Sequence, residues 1–385
     1  MIKKTICLIL SLAGVLCSNF TLITALAAEK DDVGIGAPSA IMIDFSTKKS
    51  LYEKNPHEKR PCASLTKIMT MCLTFDAIDS GKLDYNTPVP TSPIAASQSG
   101  SDIWLVEGET LTVDDLLKAV ALVSANDACV SLAEAVGGTK ESFVSMMNEK
   151  AKALGMNDTT FKNCTGDDED GHVTSAYDVS LMSGELMKHE KALEYTSVWL
   201  DYIRDGATQL VNTNSLVKNN SGITGLKTGT STMSGACISA CAERNGMTLI
   251  AVVLGDKTGE QRFSDAQRLL DYGFSSFASF LPVLPEDLPK TVDITGGMQQ
   301  NVAVNCTPDG EFLIKSGSEG DVTSSFSVYD NIEAPVKKGQ KLGSVIYKKG
   351  EEILGEYPLT AAEDIEKINV LGIFVKLCRL LIMEN

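Results

Sequence analysis

The chain has 385 residues, 43% of them apolar, with 34 Lys and Arg against 50 Asp and Glu, a formal charge of −16. That is enough chain and enough apolar content to bury more than one packed core, which excludes disorder as the default. The negative balance repels a phosphate backbone and argues against nucleic acid as a partner.

Residues 1–27 predict a secretory signal: Lys3 and Lys4 supply the charged start, Ile6 to Leu16 the apolar run, and Ala25-Leu26-Ala27 the small-residue cleavage site. Cys17 invites a lipoprotein reading, but Leu16 stands before it where a small residue is expected, so the ordinary signal is preferred. The mature protein then begins at Ala28 or Glu29, and loss of Lys3 and Lys4 leaves 32 basic against 50 acidic residues, a charge of −18. Eight cysteines remain (Cys62, Cys72, Cys129, Cys164, Cys237, Cys241, Cys306 and Cys378), in apolar contexts and without a C-x-x-C pair, and they read as buried free thiols. Cys237 and Cys241 would lie about 13 Å apart along a strand at ~3.3 Å per residue, too far for a bond to each other. A bond between distant elements stays open.

Ala40 to Phe45 is an apolar run broken by Asp44, Ser46-Thr47-Lys48-Lys49 makes a turn, and Leu51-Tyr52 resumes the apolar pattern, which predicts an opening β-hairpin. From Ser64 the period becomes helical through Ile68, Met71, Cys72, Phe75 and Ile78, until Ser80-Gly81 ends it. Further helices are expected at 112–122, opened by Thr112 with Asp115 three residues on, at 140–154, closed by Gly155, and at 176–188. Strands follow at Ile223 to Thr228, Ala236 to Glu243 and Met247 to Leu254, the last two joined by the hairpin signal Asn245-Gly246. A helix around 260–273 returns to the sheet, so the order is strands, helices, strands: an α+β domain and not a βαβ series. Pro282, Pro285 and Pro289 then lead into short β-rich runs to about residue 360, a smaller all-β domain. From Ile368 to Met383 apolar residues predominate, with Asn369, Gly372, Lys376 and Arg379 on one helical stripe. Such a helix spans about 24 Å and carries two cations, so it suits lying in a membrane surface better than crossing a bilayer. Docking on the protein's own β domain is the competing reading.

Three strings carry the chemistry: Ser64-Leu65-Thr66-Lys67, Ser124-Ala125-Asn126 and Lys227-Thr228-Gly229. Ser-x-x-Lys is a cheap pattern and recurs at Ser46–Lys49 and Ser215–Lys218, and Lys-Thr-Gly recurs at 257–259. Only Ser64 opens an amphipathic helix, and only Lys227 follows an apolar strand approach, whereas Ser46 and Lys257 sit in turns and Ser215 in an Asn-rich loop. The i, i+3 spacing lets the Lys67 amine reach the Ser64 hydroxyl, and a helix start favours negative charge on that oxygen. Lysine must be neutral to act as a base, and lowering its pKa from ~10.4 to near 7 takes roughly 4 kcal/mol, which burial and a neighbouring cation such as Lys227 can supply. Lys67 is thus the expected general base and Lys227 the charge that tunes the site and holds a substrate carboxylate. Ser124 would relay a proton to the leaving amine, Asn126 would bond the substrate amide, and the N–H groups of Ser64 and Thr230 would form an oxyanion hole beside Gly229. His57, His172 and His189 lie in no G-x-S-x-G or H-E-x-x-H string. The run Asp167-Asp168-Glu169-Asp170 fails the EF-hand template and reads as a solvated loop, so neither metal nor cofactor is expected.

With these strings the chain resembles the D-alanyl-D-alanine carboxypeptidases, the low-molecular-mass penicillin-binding proteins of serine peptidase family S11, from about residue 34 to 385. The similarity extends through Pro61 to Thr70, Ser124 to Ala128, Gly225 to Ser231 and Leu270 to Phe274. It implies a penicillin-binding/β-lactamase-like α+β domain at 34–277, a β-rich domain at 286–362, and an amphipathic membrane anchor at 366–385 that holds an exported protein at the outer face of the cytoplasmic membrane. It implies Ser64, Lys67 and Ser124 as catalytic residues, and Asn126, Lys227, Thr228, Gly229 and Thr230 as substrate-binding residues. The implied reaction removes the terminal D-alanine from peptidoglycan stem pentapeptides through an acyl-serine intermediate, with β-lactam antibiotics as covalent inhibitors. The chain departs from the family pattern at Ala125, often Gly, at Cys62 and Cys129 beside the first two motifs, and at Asn163-Cys164-Thr165-Gly166-Asp167, where an acid replaces the usual apolar residue. A β-lactamase would need a deacylation base such as the Glu of an E-x-x-L-N string, which is absent. A transpeptidase or a catalytically silent wall-binding relative are the other competing readings.

Overall fold

A computed structural model describes residues 33–219 and 222–374, without the side chain of Asn219. The expected signal sequence, Cys378 and the C-terminal helix beyond residue 374 lie outside the described residues.

The opening hairpin is β1 (Ser39–Asp44) and β2 (Ser50–Lys54), followed by a 3-10 turn (Ala63–Thr66) that runs into α1 (Lys67–Asp79). Ser64 thus sits in a tight turn ahead of the α-helix, and the α-helix itself starts at Lys67. A stretch that periodicity did not resolve follows: β3 (Pro88–Pro90), α2 (Pro93–Ala96) and β4 (Thr110–Thr112). These elements are three or four residues long, too short to display a period. Next come α3 (Val113–Leu122), α4 (Asn126–Gly137), α5 (Lys140–Ala153), α6 (Ala176–Leu186) and α7 (Glu190–Thr196). Thr112, Thr139 and Ser175 cap α3, α5 and α6 by accepting a hydrogen bond from the N–H three residues on. A small hairpin, β5 (Leu200–Ile203) with β6 (Thr208–Val211), precedes a 3-10 turn at Ser215–Asn219, where the sequence suggested only a loop.

The rest of the first sheet follows as β7 (Ile223–Ser231), β8 (Gly235–Arg244) and β9 (Met247–Asp256), and α8 (Gly259–Ser276) closes over it. The strand order is β2-β1-β9-β8-β7, antiparallel throughout. Asn245 and Gly246 both have positive φ, as the tight β8–β9 turn requires. Alternate residues of β1, β8 and β9 feed two cores. Ile41, Cys237, Cys241, Ile250 and Val252 pack with α1, α3, α4 and α6, while Met42, Ile238, Ala240, Leu249 and Val253 pack with Ala266, Leu269 and Leu270 of α8. Covered on both faces, β8 and β9 read as continuous apolar runs.

Directly after α8, β10 (Phe277–Phe280) pairs with β13 (Phe312–Lys315). The remaining strands, β11 (Thr291–Asp293), β12 (Asn301–Asn305), β14 (Val322–Val328), β15 (Lys341–Lys349) and β16 (Glu352–Ala361), form a five-stranded sheet in the order β11-β12-β16-β15-β14. At residues 370–374 a helical turn begins, capped by Asn369, whose side chain accepts from Gly372 N.

Candidate active site

The candidate site lies where the edge strand β7 meets the 3-10 turn that carries Ser64. The approach is close. A Cβ on Gly229 would stand 2.6 Å from the Cys62 carbonyl oxygen and 3.0 Å from Ser64 N, and one on Gly166 would stand 2.0 Å from the Ala63 carbonyl oxygen. Three backbones therefore converge on Ser64: its own turn, β7 and the 163–167 segment. Ala63 (φ 47°) and Ser124 (φ 64°) hold left-handed conformations that residues with a Cβ adopt at a cost.

Lys67 is fully buried, and its Nζ lies 3.0 Å from Ser64 Oγ, 2.7 Å from Asn126 Oδ1 and 2.7 Å from the Thr165 carbonyl oxygen. Asn126 is held in that orientation because its Nδ2 donates to Ser99 O at 2.8 Å while its backbone N donates to Ser101 O at 2.6 Å. Amide and carbonyl oxygens only accept. A neutral Lys67 amine therefore spends its two N–H bonds on Asn126 and Thr165 and keeps its lone pair for the Ser64 hydroxyl, which is the arrangement that takes a proton from serine. Burial pushes the Lys67 pKa down, while Cys129, Asp167 and Asp127 pull it back up.

Lys227 is also buried, and its Nζ donates to the Thr228 carbonyl at 3.2 Å. Its pKa is pushed well down, first by burial and then by the charges of Lys67 and Arg262. The expected electrostatics thus change in one respect: burial, and not the Lys227 cation, depresses Lys67, whereas the charge on Lys227 is opposed by burial, Lys67 and Arg262 and favoured by Cys129. Thr228 Oγ1 donates to Thr213 Oγ1 at 2.7 Å. Ser124 is buried, and its Oγ has no hydrogen-bond partner among the described residues. Lys67 joins Ser64 to Asn126, and Gly229 abuts the Ser64 turn. Ser124 makes no direct hydrogen bond to them.

Sequence reasoning missed several contributors. Arg262, in the first turn of α8, is buried and donates to Gly229 O (2.9 Å) and Thr230 Oγ1 (2.7 Å), placing a guanidinium behind the Lys-Thr-Gly strand. Nothing in a helix period marks it. His172 supports the motif without entering the chemistry: its Nδ1 accepts from Lys162 N, so Nε2–H donates to Thr66 Oγ1 at 2.9 Å. Asp167 accepts from Thr165 Oγ1 at 2.6 Å and lies 3.4 Å from Asn126 Nδ2. Asp168 accepts from Ser231 Oγ (2.5 Å) and Met233 N (3.2 Å), tying the acidic segment to the β7–β8 connection. Among the described residues no group of three or more His, Cys, Asp or Glu side chains could hold a metal ion.

A sheet between a helical layer and a terminal helix, with a Ser-x-x-Lys turn against one sheet edge, defines the class of penicillin-binding serine enzymes, and comparison with solved structures agrees. Penicillin binding protein 5 of Haemophilus influenzae superposes with a TM-score of 0.75 at 26% identity, over 86% of this chain and 98% of that one. Penicillin-Binding Protein D2 of Listeria monocytogenes in its ampicillin-bound form gives 0.58 at 34% identity, over 62% and 98%. D-alanyl-D-alanine carboxypeptidase DacF of Bacillus subtilis is 41% identical over 335 residues, 86% of each chain, and DacC of Escherichia coli is 32% identical over 359 residues, 91% of this chain and 90% of that one. Residues 24–258 match the D-alanyl-D-alanine carboxypeptidase family, peptidase S11, and residues 277–367 match the C-terminal domain of penicillin-binding protein 5. The chain belongs to the S11 D-alanyl-D-alanine carboxypeptidase family.

Proposed function

We propose that this chain is a serine-type D-alanyl-D-alanine carboxypeptidase that removes the terminal D-alanine from peptidoglycan stem pentapeptides. The observation that carries the reading is the contact set of Lys67 Nζ: two obligate acceptors and one serine hydroxyl. Ser64 Oγ attacks the carbonyl carbon of the penultimate D-alanine, and its proton passes to Lys67. The N–H groups of Ser64 and Thr230 receive the oxyanion, each donor worth roughly 10²–10³ in rate. The C–N bond breaks as Ser124 relays a proton to the departing amine, and the buried Ser124 Oγ gains the partner it lacks. Water then hydrolyses the ester, and Lys67 is placed to receive its proton. Asn126 bonds the substrate amide, while Lys227, Thr228 and Gly229 line the strand on which substrate lies. The substrate's terminal carboxylate favours charge on Lys227, and a charged Lys227 in turn disfavours a proton on Lys67, so binding primes the base. The ester of a β-lactam with Ser64 forms by the same attack, with the ring nitrogen as the leaving group.

Purified protein should be labelled covalently by fluorescent penicillin and should release D-alanine from a pentapeptide. Ser64→Ala should abolish labelling and lower turnover by ~10⁴–10⁶-fold. Label retained in that variant would overturn the assignment of the nucleophile.

The organisation proposed with this function is a signal at 1–27, the serine peptidase domain at 34–277, a β-rich domain at 286–362, and an amphipathic anchor at 366–385 that keeps an exported enzyme on the outer face of the cytoplasmic membrane. In support, the start of the last segment leaves Ile368, Val370, Leu371 and Phe374 exposed, while Gly372 abuts Met298 of the β-rich part. Among the described residues no helix is long and apolar enough to cross a membrane. An apolar face at the end of such a chain suits insertion into a headgroup layer.

A further inference from the structure

Three segments around the candidate site, 97–109, 163–171 and 228–236, together contain seven acidic residues and no Lys or Arg, with the exposed Lys162 flanking the second and lying against its Gly171 and the buried Lys227 flanking the third. Of the seven, Glu109 is held by Arg204 at 2.7 Å, and Asp168 and Glu169 are engaged by Ser231, Met233 and Asn163. Asp167 differs from these in where it stands. It is exposed, it lies within reach of the Asn126 side-chain amide, which is the group assigned to the substrate backbone, and its charge is felt by the Lys67 amine. Gly166 (φ +87°) presses its backbone onto the Ser64 turn, and Thr165 Oγ1 donates to the Asp167 carboxylate, so the carboxylate is fixed at the cleft wall and does not wander in a loop. Two residues before Asn126, Ser124 is buried and its Oγ has no hydrogen-bond partner among the described residues. The cations nearest the wall, Lys67, Lys227 and Arg262, are all buried and turned to other acceptors.

We propose that Asp167 is a specificity-determining residue that selects acyl donors carrying a free ammonium group on the side chain of the residue that precedes D-alanyl-D-alanine. This rests on the carboxypeptidase reading above. An acyl donor bonded through its backbone amide to Asn126 continues past Asp167, and a side-chain ammonium there meets a carboxylate that opens the acidic run Asp167 to Asp170. An acylated, neutral side chain gains nothing from that charge, and an acidic one is repelled by the whole rim.

The test compares kcat/KM for D-alanine release from Nα-acetyl-Lys-D-Ala-D-Ala and from its Nε-acetyl counterpart, in the wild type, Asp167→Asn and Asp167→Leu. The wild type should prefer the free ammonium about two- to fivefold, the size of a solvent-exposed ion pair, and the preference should fall with added salt as exposed charges are screened. Both variants should bring the ratio to near one. Acylation of the variants by fluorescent penicillin checks that their sites are assembled. A role limited to holding Asn126 or to activating water would slow both peptides alike and leave the ratio intact, and that result overturns the inference. No D-alanine released from either peptide by the wild type would sink the carboxypeptidase reading itself, and this inference with it.

Discussion

Asp256, at the end of β9, is buried, and neither of its carboxylate oxygens has a hydrogen-bond partner among the described residues. Burial and the nearby Asp265 push its pKa up to about 7, against the moderating charges of Lys54 and Arg262. The folded state thus holds a proton that an unfolded aspartate releases near pH ~4, so stability falls as pH rises from there through 7. Asp256→Asn should therefore melt higher than wild type at pH 8 and gain much less at pH 4.5; an equal shift at both values would show that the carboxylate is not the strained species. The same accounting separates the two lysines. A sequence can place Lys67 one turn from Ser64, but only the packed site shows that burial pushes its pKa down while Cys129 and nearby carboxylates pull it up. The acid at position 167 was legible as a departure from the family pattern, whereas its contacts with Asn126 and Thr165 depend on the fold of a five-residue turn.

At the scale of elements, the site is a junction of the Ser64 turn with strand β7 and the 163–167 segment, and glycine is what lets them touch. Gly229→Ala and Gly166→Ala each place a methyl against backbone carbonyl oxygens, at 2.6 and 2.0 Å, which have no rotamer with which to yield. Each should slow acylation by penicillin about 10²-fold, the cost of an ångström-scale misplacement of reacting groups. Gly171→Ala is the control: it shares a positive φ (77°) in the same loop but meets only the flexible end of Lys162 at 3.4 Å. Loss of acylation in Gly171→Ala as in Gly166→Ala would assign the effect at Gly166 to loop strain and not to the junction. Gly229 was expected from the motif. Gly166 was not singled out, because no local pattern distinguishes a glycine needed for its own turn from one needed by a segment about 100 residues away.

For the molecule as a whole, the peptidase part and the β-rich part are stitched together by β10 and β13, which pair residues 277–280 with 312–315, and Phe277 and Leu313 pack against the core beneath α8. The C-terminal turn is tied to the β-rich part through Ile368 N to Gly296 O at 2.8 Å. A chain truncated before residue 368 keeps every strand and the whole candidate site. The proposed anchor predicts that deletion of 368–385 moves the protein from the membrane to the soluble fraction while D-alanine release in solution stays within about twofold. An unchanged membrane fraction would refute the anchor, and a loss of soluble activity would show that the terminal segment has a role in the fold.

The sequence by itself determined the class of chemistry, the order of the three motifs and several of the long elements, α1, α3, α5, α6, α8 and β7 to β9, because these depend on short-range signals: i, i+3 spacing on a helix, apolar runs in β8 and β9, and a turn at Asn245-Gly246; the 12-residue α4 was not among them. Only the tertiary structure decided which acceptors surround Lys67, that Arg262 stands behind Gly229 and Thr230, that His172 braces Thr66, and that Asp167 stands within reach of Asn126. Those are contacts between residues separated by 30 to 100 positions or more, and they are set by how the chain packs, which no local periodicity encodes.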